Sequence, residues 1–489
     1  MQLNTLIKRL RNEMRNDAGV SGDAQRLEQM TWLFFLKIYD AREEEWEILD
    51  EDYRSIIPER LRWHSWAANR MDGSSMTGPE LIDFVNNELF PGLRNLNVTE
   101  DTPLKQAIVK AVFEDVNNYM KDGGLLRGVV NIIDEVDFTD FQERHAFNDI
   151  YESLLKELQD QGSSGEFYTP RALTDFIVKM VDPKLGESVA DFACGTGGFL
   201  TSTLKHLEKQ TSTSQDADIL GRSVYGIEKK PFPYLLCITN MILHGVDTPM
   251  IFHANSLERN VRDYEEKDKF DVIVMNPPYG GSEKDIVKNN FPMDLRSSET
   301  ADLFIVLIMY RLKKNGRAAV ILPDGFLFGS DVKANIKKRL MSEFNLHTII
   351  RLPGSVFAPY TSIKTNVLFF DNTGSTENTW FYRVDMPEGY KHFSKTKPMR
   401  LEHLQPAIDW WNNRIEIEDS DGNYKAKCYT IDEIEQSGYD LNRCDPVQES
   451  DEILPPEELI ANFRKERAEL TAKMDEILEQ IEKILGGKQ

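Results

Sequence analysis

Between residues 165 and 370 seven short apolar runs recur: SVADFA (188–193), SVYGIE (223–228), PMIFHA (249–254), DVIVMN (271–276), AAVILP (318–323), HTIIRLP (347–353) and NVLFFD (366–371). Helical patterns at 171–181, 198–209, 232–244, 301–313 and 331–343 lie between most of them. Runs of this kind have no polar face to turn toward water, so both of their faces must be covered. Strands alternating with helices solve that problem as a doubly wound α/β sheet with helices on both sides. The pattern leaves the strand order open, and with it the sense of the last strands.

Residues 1–150 read differently. In DAQRLEQMTWLFFLKIYDAREEEWEIL, Leu27, Met30, Trp32, Leu33, Phe35, Leu36 and Tyr39 fall at helical intervals, and further helical patterns appear at 79–90 and 104–120. A helical run at 141–161 leads into the break QGSSGE, which sets the expected first boundary: a helical N-terminal domain over 1–161 and an α/β domain over 162–375, extending to about 450. Residues 372–450 read as mixed and loop-rich. From Leu459 on, Phe463, Leu470, Met474, Ile477, Ile481 and Ile484 recur close to every 3.5 residues behind Pro455-Pro456. That narrow apolar seam predicts a C-terminal helix within 451–489 that pairs with another helix.

At 489 residues, 40% hydrophobic and 28% charged, the chain has the composition of a soluble multi-domain protein. No apolar run approaches the roughly 18–20 residues that span a bilayer, and MQLNTLIKRLRNEMRND lacks a signal-peptide core. Cys194, Cys237, Cys428 and Cys444 are scattered with no metal-binding spacing, as expected of reduced thiols in a cytoplasmic protein. The net charge of −23 argues against a nucleic-acid partner for the whole surface, yet residues 301–400 carry 15 basic and 8 acidic residues. A local phosphate-binding surface is therefore compatible with the acidic total, as is a merely solvated helix face.

Four successive strand ends carry the chemistry. The first runs into Asp191-Phe192-Ala193-Cys194-Gly195-Thr196-Gly197-Gly198-Phe199, a glycine-rich turn that lets the backbone approach a ligand and aims a helix N-terminus at it. It lacks both the GK[ST] of a phosphate-binding loop and the GxGxxG spacing of a dinucleotide site. The second ends in Glu228, whose carboxylate falls beside that turn and can accept ribose hydroxyls. The third ends in Asn255-Ser256, either an adenine contact or the start of a turn. The fourth ends in Asn276-Pro277-Pro278-Tyr279. A diproline restricts the backbone and so fixes the Asn276 carbonyl and the adjacent main-chain carbonyls. Two fixed acceptors suit a planar amine, and Tyr279 offers a face for a planar base.

Together, DxxCGTGG, an acidic second-strand end and NPPY resemble the S-adenosylmethionine-dependent amino-methyltransferases that act on adenine N6. Upstream, Gly165-Glu166-Phe167-Tyr168-Thr169-Pro170 resembles the motif that closes over the methionine end of that cofactor. With PRALTDFIVKMV, the helical N-terminal region and the C-terminal helix, the chain is similar to the methylation subunit of type I restriction-modification enzymes. Ala301-Asp302-Leu303-Phe304 and GRAAVILPDGFLF look like later motifs of the same family. The resemblance implies a Rossmann-like methyltransferase sheet with S-adenosyl-L-methionine as cofactor. It places Glu166, Phe167, Tyr168, Thr169, Pro170, Asp191, Ala193, Gly195, Thr196, Gly197, Gly198, Phe199, Glu228, Asn255, Ser256 and Asn276 around the cofactor. Asn276, Pro277, Pro278 and Tyr279 are then the catalytic tetrad.

The activity implied is methyl transfer to a flipped adenine, stacked on Tyr279 and held by Asn276 and the Pro277 carbonyl. Asn255 stands where many methyltransferases carry Asp. No Pro-Cys dipeptide occurs, so the covalent cysteine route of cytosine-C5 methylation has no nucleophile. Asn276, where cytosine-N4 enzymes usually carry Ser, favours adenine. The implied partners are double-stranded DNA, a specificity subunit that reads the site, a second copy of the methylation subunit and a restriction/translocase subunit, with no membrane. The competing readings use the same tetrad on ribosomal RNA adenine or on a protein glutamine amide, or keep the fold without turnover.

Overall fold

The computed structural model describes residues 3–68, 75–139, 147–148, 150–155, 168–358, 361–394, 396–419 and 422–445, together with 464, 467 and 471. The GEFYTP motif is therefore described only from Tyr168 onward. Glu166, Phe167, the break at 161–165 and nearly all of the expected C-terminal helix lie outside the described residues. By internal contacts Met1–Cys444 form one unit and Asp445–Gln489 another.

The seven apolar runs become seven strands: β1 (Val189–Asp191), β2 (Val224–Glu228), β3 (Met250–His253), β4 (Phe270–Met275), β5 (Leu312–Pro323), β6 (Asn345–Arg351) and β7 (Thr365–Asp371). Three more follow, β8 (Asn378–Arg383), β9 (Ile417–Glu418) and β10 (Tyr424–Thr430), and all join one sheet in the order β3-β2-β1-β4-β5-β7-β6-β8-β10-β9. From β3 to β5 every pairing is parallel, and β7 is inserted antiparallel between β5 and β6. Chain order reverses between β1 and β4, which makes the carboxyl ends of those two strands the topological switch point where ligands bind in open α/β sheets.

Strand periodicity explains how both faces are buried. On β4, Val272 and Val274 belong to one core with Leu173, Phe176 and Ile177 of the helix Arg171–Val181. Ile273 and Met275, pointing the other way, join a core with Leu303, Ile305 and Leu307 of the helix Thr300–Arg311. All four β4 residues are wholly buried, as a central parallel strand requires.

The expected helices form at Arg171–Val181, Gly198–Glu208, Pro231–Leu243, Thr300–Arg311 and Val332–Glu343. The segment after 372 is more ordered than its composition suggested. In β10, YKAKCYT, polar residues alternate with others because the strand lies near the sheet edge. There Lys425 pairs with Asp385 at 2.7 Å and Lys427 sits 4.0 Å from the Tyr424 ring.

In the N-terminal region the long helix Asp23–Leu49 is apolar around much of its circumference, with Trp32, Leu33, Phe34, Phe35 and Leu36 all buried. The pattern expected at 79–90 becomes Gly78–Asp83, a π-helical turn Phe84–Leu89 and Phe90–Arg94. That expected at 104–120 stops at Phe113, and a further helix spans Gly123–Asp134. These helices share one core with Leu235, Ile238 and Met241 of Pro231–Leu243. Tyr151 and Asn148 add hydrogen bonds to the Leu236 and Leu243 carbonyls at 3.2 and 3.1 Å. The helical region thus braces the helix that follows β2.

Candidate active site

The chain leaves β1 at Asp191 and turns through Gly195 and Gly197, both left-handed at φ 55° and 82°, before entering the helix Gly198–Glu208. A side chain other than hydrogen is strained at such angles. The turn is held from two sides. Cys194 N donates to the Ile227 carbonyl at 3.0 Å, and Gly195 N donates to Glu228 Oε2 at 2.8 Å. The other carboxylate oxygen, Oε1, accepts from Lys230 N at 2.8 Å. Behind the turn, the buried Asn240 of Pro231–Leu243 donates to the Thr196 carbonyl at 3.1 Å.

Asp191 is 2% exposed, and its Oδ1 accepts from Ala193 N at 3.0 Å. Burial, assisted by the neighbouring Glu228 charge, pushes its carboxyl up to about 8 against the pull of that amide.

β4 delivers Asn276 to the same edge. The Asn276 Nδ2 donates to Thr169 Oγ1 at 3.1 Å, and its Oδ1 accepts the Tyr279 hydroxyl, which also approaches the Ile321 carbonyl at 3.4 Å. Burial raises the Tyr279 phenol well above its ordinary value, so it remains a donor. The Tyr279 ring meets Phe357 edge to face, at 6.5 Å and 87°. Pro277 is buried and Pro278 exposed.

Two adjoining cavities open at this edge, and Tyr168, Ala193, Gly195 and Asn276 line both. The larger is also lined by Phe192, Glu228, Asn255, Ser256, Pro277 and Pro278, and the smaller by Thr169, Asp191, Thr196, Gly198 and Phe199. The fold thus brings together residues that lie more than a hundred positions apart in the chain.

Three of the expected residues stand behind the cavities. Pro170 starts the helix Arg171–Val181, accepting the amides of Leu173 and Thr174 at 2.9 and 3.1 Å. Gly197 faces Cys237 and Met241 of the bracing helix. Tyr279 sits beyond Asn276. Two others line the larger cavity, each with its side-chain oxygen already engaged. Asn255 Oδ1 accepts Leu257 N at 3.1 Å, the turn-starting role for an asparagine, and Ser256 Oγ donates to the Phe192 carbonyl at 2.6 Å.

Several residues that were not expected at the site also line the cavities. Lys229 and Glu283 line the larger cavity and pair with each other at 3.0 Å. Pro233, Thr300 and Phe304 also line it. Phe304 belongs to ADLF, whose Asp302 is buried to hold that helix, accepting Ser297 Oγ at 2.6 Å and pairing with Lys333 at 3.0 Å. Arg171 borders the smaller cavity and bonds Glu152 through two nitrogens at 2.8 Å. Position after GEFYTP was the one available signal for it.

A sheet with a switch-point cavity, a glycine turn tied to an acidic strand end and an NPPY tetrad at its rim define an amino-methyltransferase. The chain matches the model for N-6 DNA methylase over residues 142–453 and that for the HsdM N-terminal domain over 3–133. It belongs to the N-6 DNA methylase family. It is 48% identical to the type I restriction enzyme EcoEI methylase subunit of Escherichia coli, over 99% of this chain and 98% of that protein. Among solved structures it resembles a modification subunit attributed to a type I restriction enzyme of Vibrio vulnificus YJ016, with 41% identity, a TM-score of 0.79 and coverage of 93% and 98% of the two chains. A chain from a type I R-M system, described for its complex assembly and conformational transition, matches at 34% identity and TM-score 0.81, covering 100% of this chain and 99% of that one.

The protein is the methylase subunit of a type I restriction-modification system, an adenine-specific DNA methyltransferase. The readings as an RNA or glutamine methyltransferase are not favoured. No helix among the described residues is long and apolar enough to cross a membrane.

Proposed function

We propose that the paired cavities hold S-adenosyl-L-methionine and the target adenine, with Asn276 at the junction presenting the adenine amine for methylation. The observation that carries this reading is the position of Asn276, which lines both cavities and fixes their shared wall. The donor set fits the cofactor. A Cβ on Gly195 would meet no protein atom within 4 Å, so the bare glycine leaves space at a point lining both cavities. Glu228 lines the larger cavity with a carboxylate that can accept ribose hydroxyls, and Phe192, Pro233 and Phe304 give apolar walls for a flat ring. Asp191 is a buried carboxyl that a nearby cation would ionise.

When bound, S-adenosyl-L-methionine supplies an electrophilic methyl group. The chain's own residues do the rest. Asn276 Oδ1 and the Pro277 carbonyl accept the two N6 hydrogens, which localises the amine lone pair and points it at the methyl. Tyr279 supplies a face for the flipped base, and its hydroxyl donates to the Asn276 side-chain carbonyl. Double-stranded DNA is the substrate, and a specificity subunit, a second methylase copy and a restriction/translocase subunit are its partners. Residues 301–400, with their positive surplus, are the part of the chain suited to phosphates.

The test is Asn276→Ala in the assembled enzyme. Tritiated methyl incorporation into unmethylated DNA should be lost, while calorimetry finds S-adenosyl-L-methionine binding essentially unchanged. Incorporation at the wild-type rate would remove Asn276 from the mechanism.

A further inference from the structure

A primary amide works as an acceptor for the adenine amine in only one of its two orientations. Rotated by half a turn, Asn276 would present its NH2 to the substrate NH2, donor against donor, and the amine lone pair would no longer be localised. Something must therefore hold the Asn276 amide the right way round. The diproline, expected from the sequence to fix that carbonyl, does not do so alone, because it begins only at the next residue and constrains main-chain angles rather than the terminal torsion, which is broad and roughly two-fold for asparagine.

We propose that Thr169 is a positioning residue for Asn276: its hydroxyl oxygen takes the Nδ2 hydrogen at 3.1 Å while the Tyr279 phenol donates to Oδ1, and the two contacts together restrain the amide with Oδ1 on the side of the incoming amine. This rests on the reading of Asn276 given above. It moves Thr169 from the shell around the methionine end of the cofactor to the support of the catalytic amide.

Thr169 is well placed for this work. It precedes Pro170, which narrows its own backbone freedom, and Pro170 opens the helix Arg171–Val181. That helix is pinned by Leu173, Phe176 and Ile177 in the core beneath β4, the strand that leads into Asn276. Its first residue, Arg171, is tied to Glu152 at 2.8 Å and to Thr201 Oγ1 at 2.8 Å. Thr201 lies on the helix that follows the glycine turn and bonds back to the Gly197 carbonyl at 3.1 Å. The Thr169 hydroxyl is therefore carried on the same rigid frame as the cofactor turn and the catalytic asparagine. On the far side of the amide, the Tyr279 hydroxyl donates to Oδ1. An adenine that displaces this phenol finds the carbonyl already facing it, because the Thr169 contact is untouched by the exchange.

The experiment compares Thr169→Val, Thr169→Ser and Asn276→Ala in the full chain assembled with the other subunits of its system. Single-turnover methylation at saturating S-adenosyl-L-methionine is read beside cofactor affinity by calorimetry. Valine keeps the shape and removes the acceptor, so the single-turnover rate should fall on the order of tenfold to a hundredfold while affinity stays within a factor of about two to three. Serine should restore most of the rate. Should Thr169→Val fail to fold, Thr169→Ala against Thr169→Ser gives the same comparison.

A wild-type rate in Thr169→Val with a dead Asn276→Ala overturns the positioning role and leaves the site reading intact. A large loss of cofactor affinity with an unchanged saturated rate also overturns it, returning Thr169 to the cofactor. An active Asn276→Ala removes the site reading itself.

Discussion

Gly195 N donates to Glu228 Oε2 at 2.8 Å, which ties the turn after β1 to the end of β2 and makes one carboxylate part of both. Glu228 thus shapes the loop that would surround the cofactor as well as offering oxygens to it.

Glu228→Ala should therefore have two separable effects. It leaves the amides of Gly195 and Lys230 without their acceptor, which should lower stability by roughly 1–3 kcal/mol in denaturant unfolding. It should also weaken S-adenosyl-L-methionine binding by tenfold or more. Glu228→Gln retains one carbonyl acceptor, so it should recover part of the stability and little of the affinity. Wild-type affinity in Glu228→Ala would show that the ribose is held elsewhere.

The two glycines of the turn should respond differently to a methyl group. At Gly197, φ is 82° and a Cβ would lie 3.0 Å from Cys237 Sγ and 3.2 Å from Met241 Cε. Gly197→Ala should lose about 1–3 kcal/mol, and Cys237→Ala in the same chain should restore only the steric share, since the backbone strain persists. At Gly195, φ is 55° and a Cβ meets nothing within 4 Å. Gly195→Ala should cost only about 1 kcal/mol of strain in thermal unfolding, yet it should reduce cofactor affinity because the methyl projects into the cavities. Equal stability losses at the two positions would contradict this difference.

Asp191 should give the free protein a distinctive pH dependence. In the fold its carboxyl keeps the proton up to about pH 8, whereas in the unfolded chain it is released near pH 4. The contribution of this group is therefore fully present below about pH 4 and is lost as pH rises toward 8. Asp191→Asn should flatten that decline in melting temperature between about pH 5 and 8. A cation bound beside the carboxylate should do the same in the wild type, so S-adenosyl-L-methionine should stabilise the protein more at pH 8 than at pH 6. A wild-type melting profile unaltered by Asp191→Asn would place the buried charge elsewhere.

Much of the fold could be read in advance because its signals are local. The strands from β1 to β7 are apolar runs whose neighbours supply helical periodicity, and a few adjacent side chains suffice to define each one. β10 was not legible because near the sheet edge it keeps polar residues such as Lys425 and Lys427, which blur the apolar pattern. The helix Ser214–Gly221 was missed for a related reason: it buries no residue and leaves no core signature. At the site, the glycine turn, Glu228 and Asn276 were legible from their places at strand ends. The engagement of Asn255 with Leu257 and of Ser256 with the Phe192 carbonyl was not, since either residue could equally have faced a ligand.

By itself the sequence determined the strands of the parallel half, the chemistry of their carboxyl ends and the family to which those ends point. These follow from apolar periodicity and turn chemistry, which depend on residues adjacent in the chain. Only the tertiary structure decided that Thr169 meets Asn276, that Tyr279 covers the asparagine carbonyl, and that Glu228 holds the Gly195 amide. Those contacts depend on strand order and register, and on which helix a core side chain pins beneath β4. No local pattern encodes a hydrogen bond between residues brought together by sheet topology.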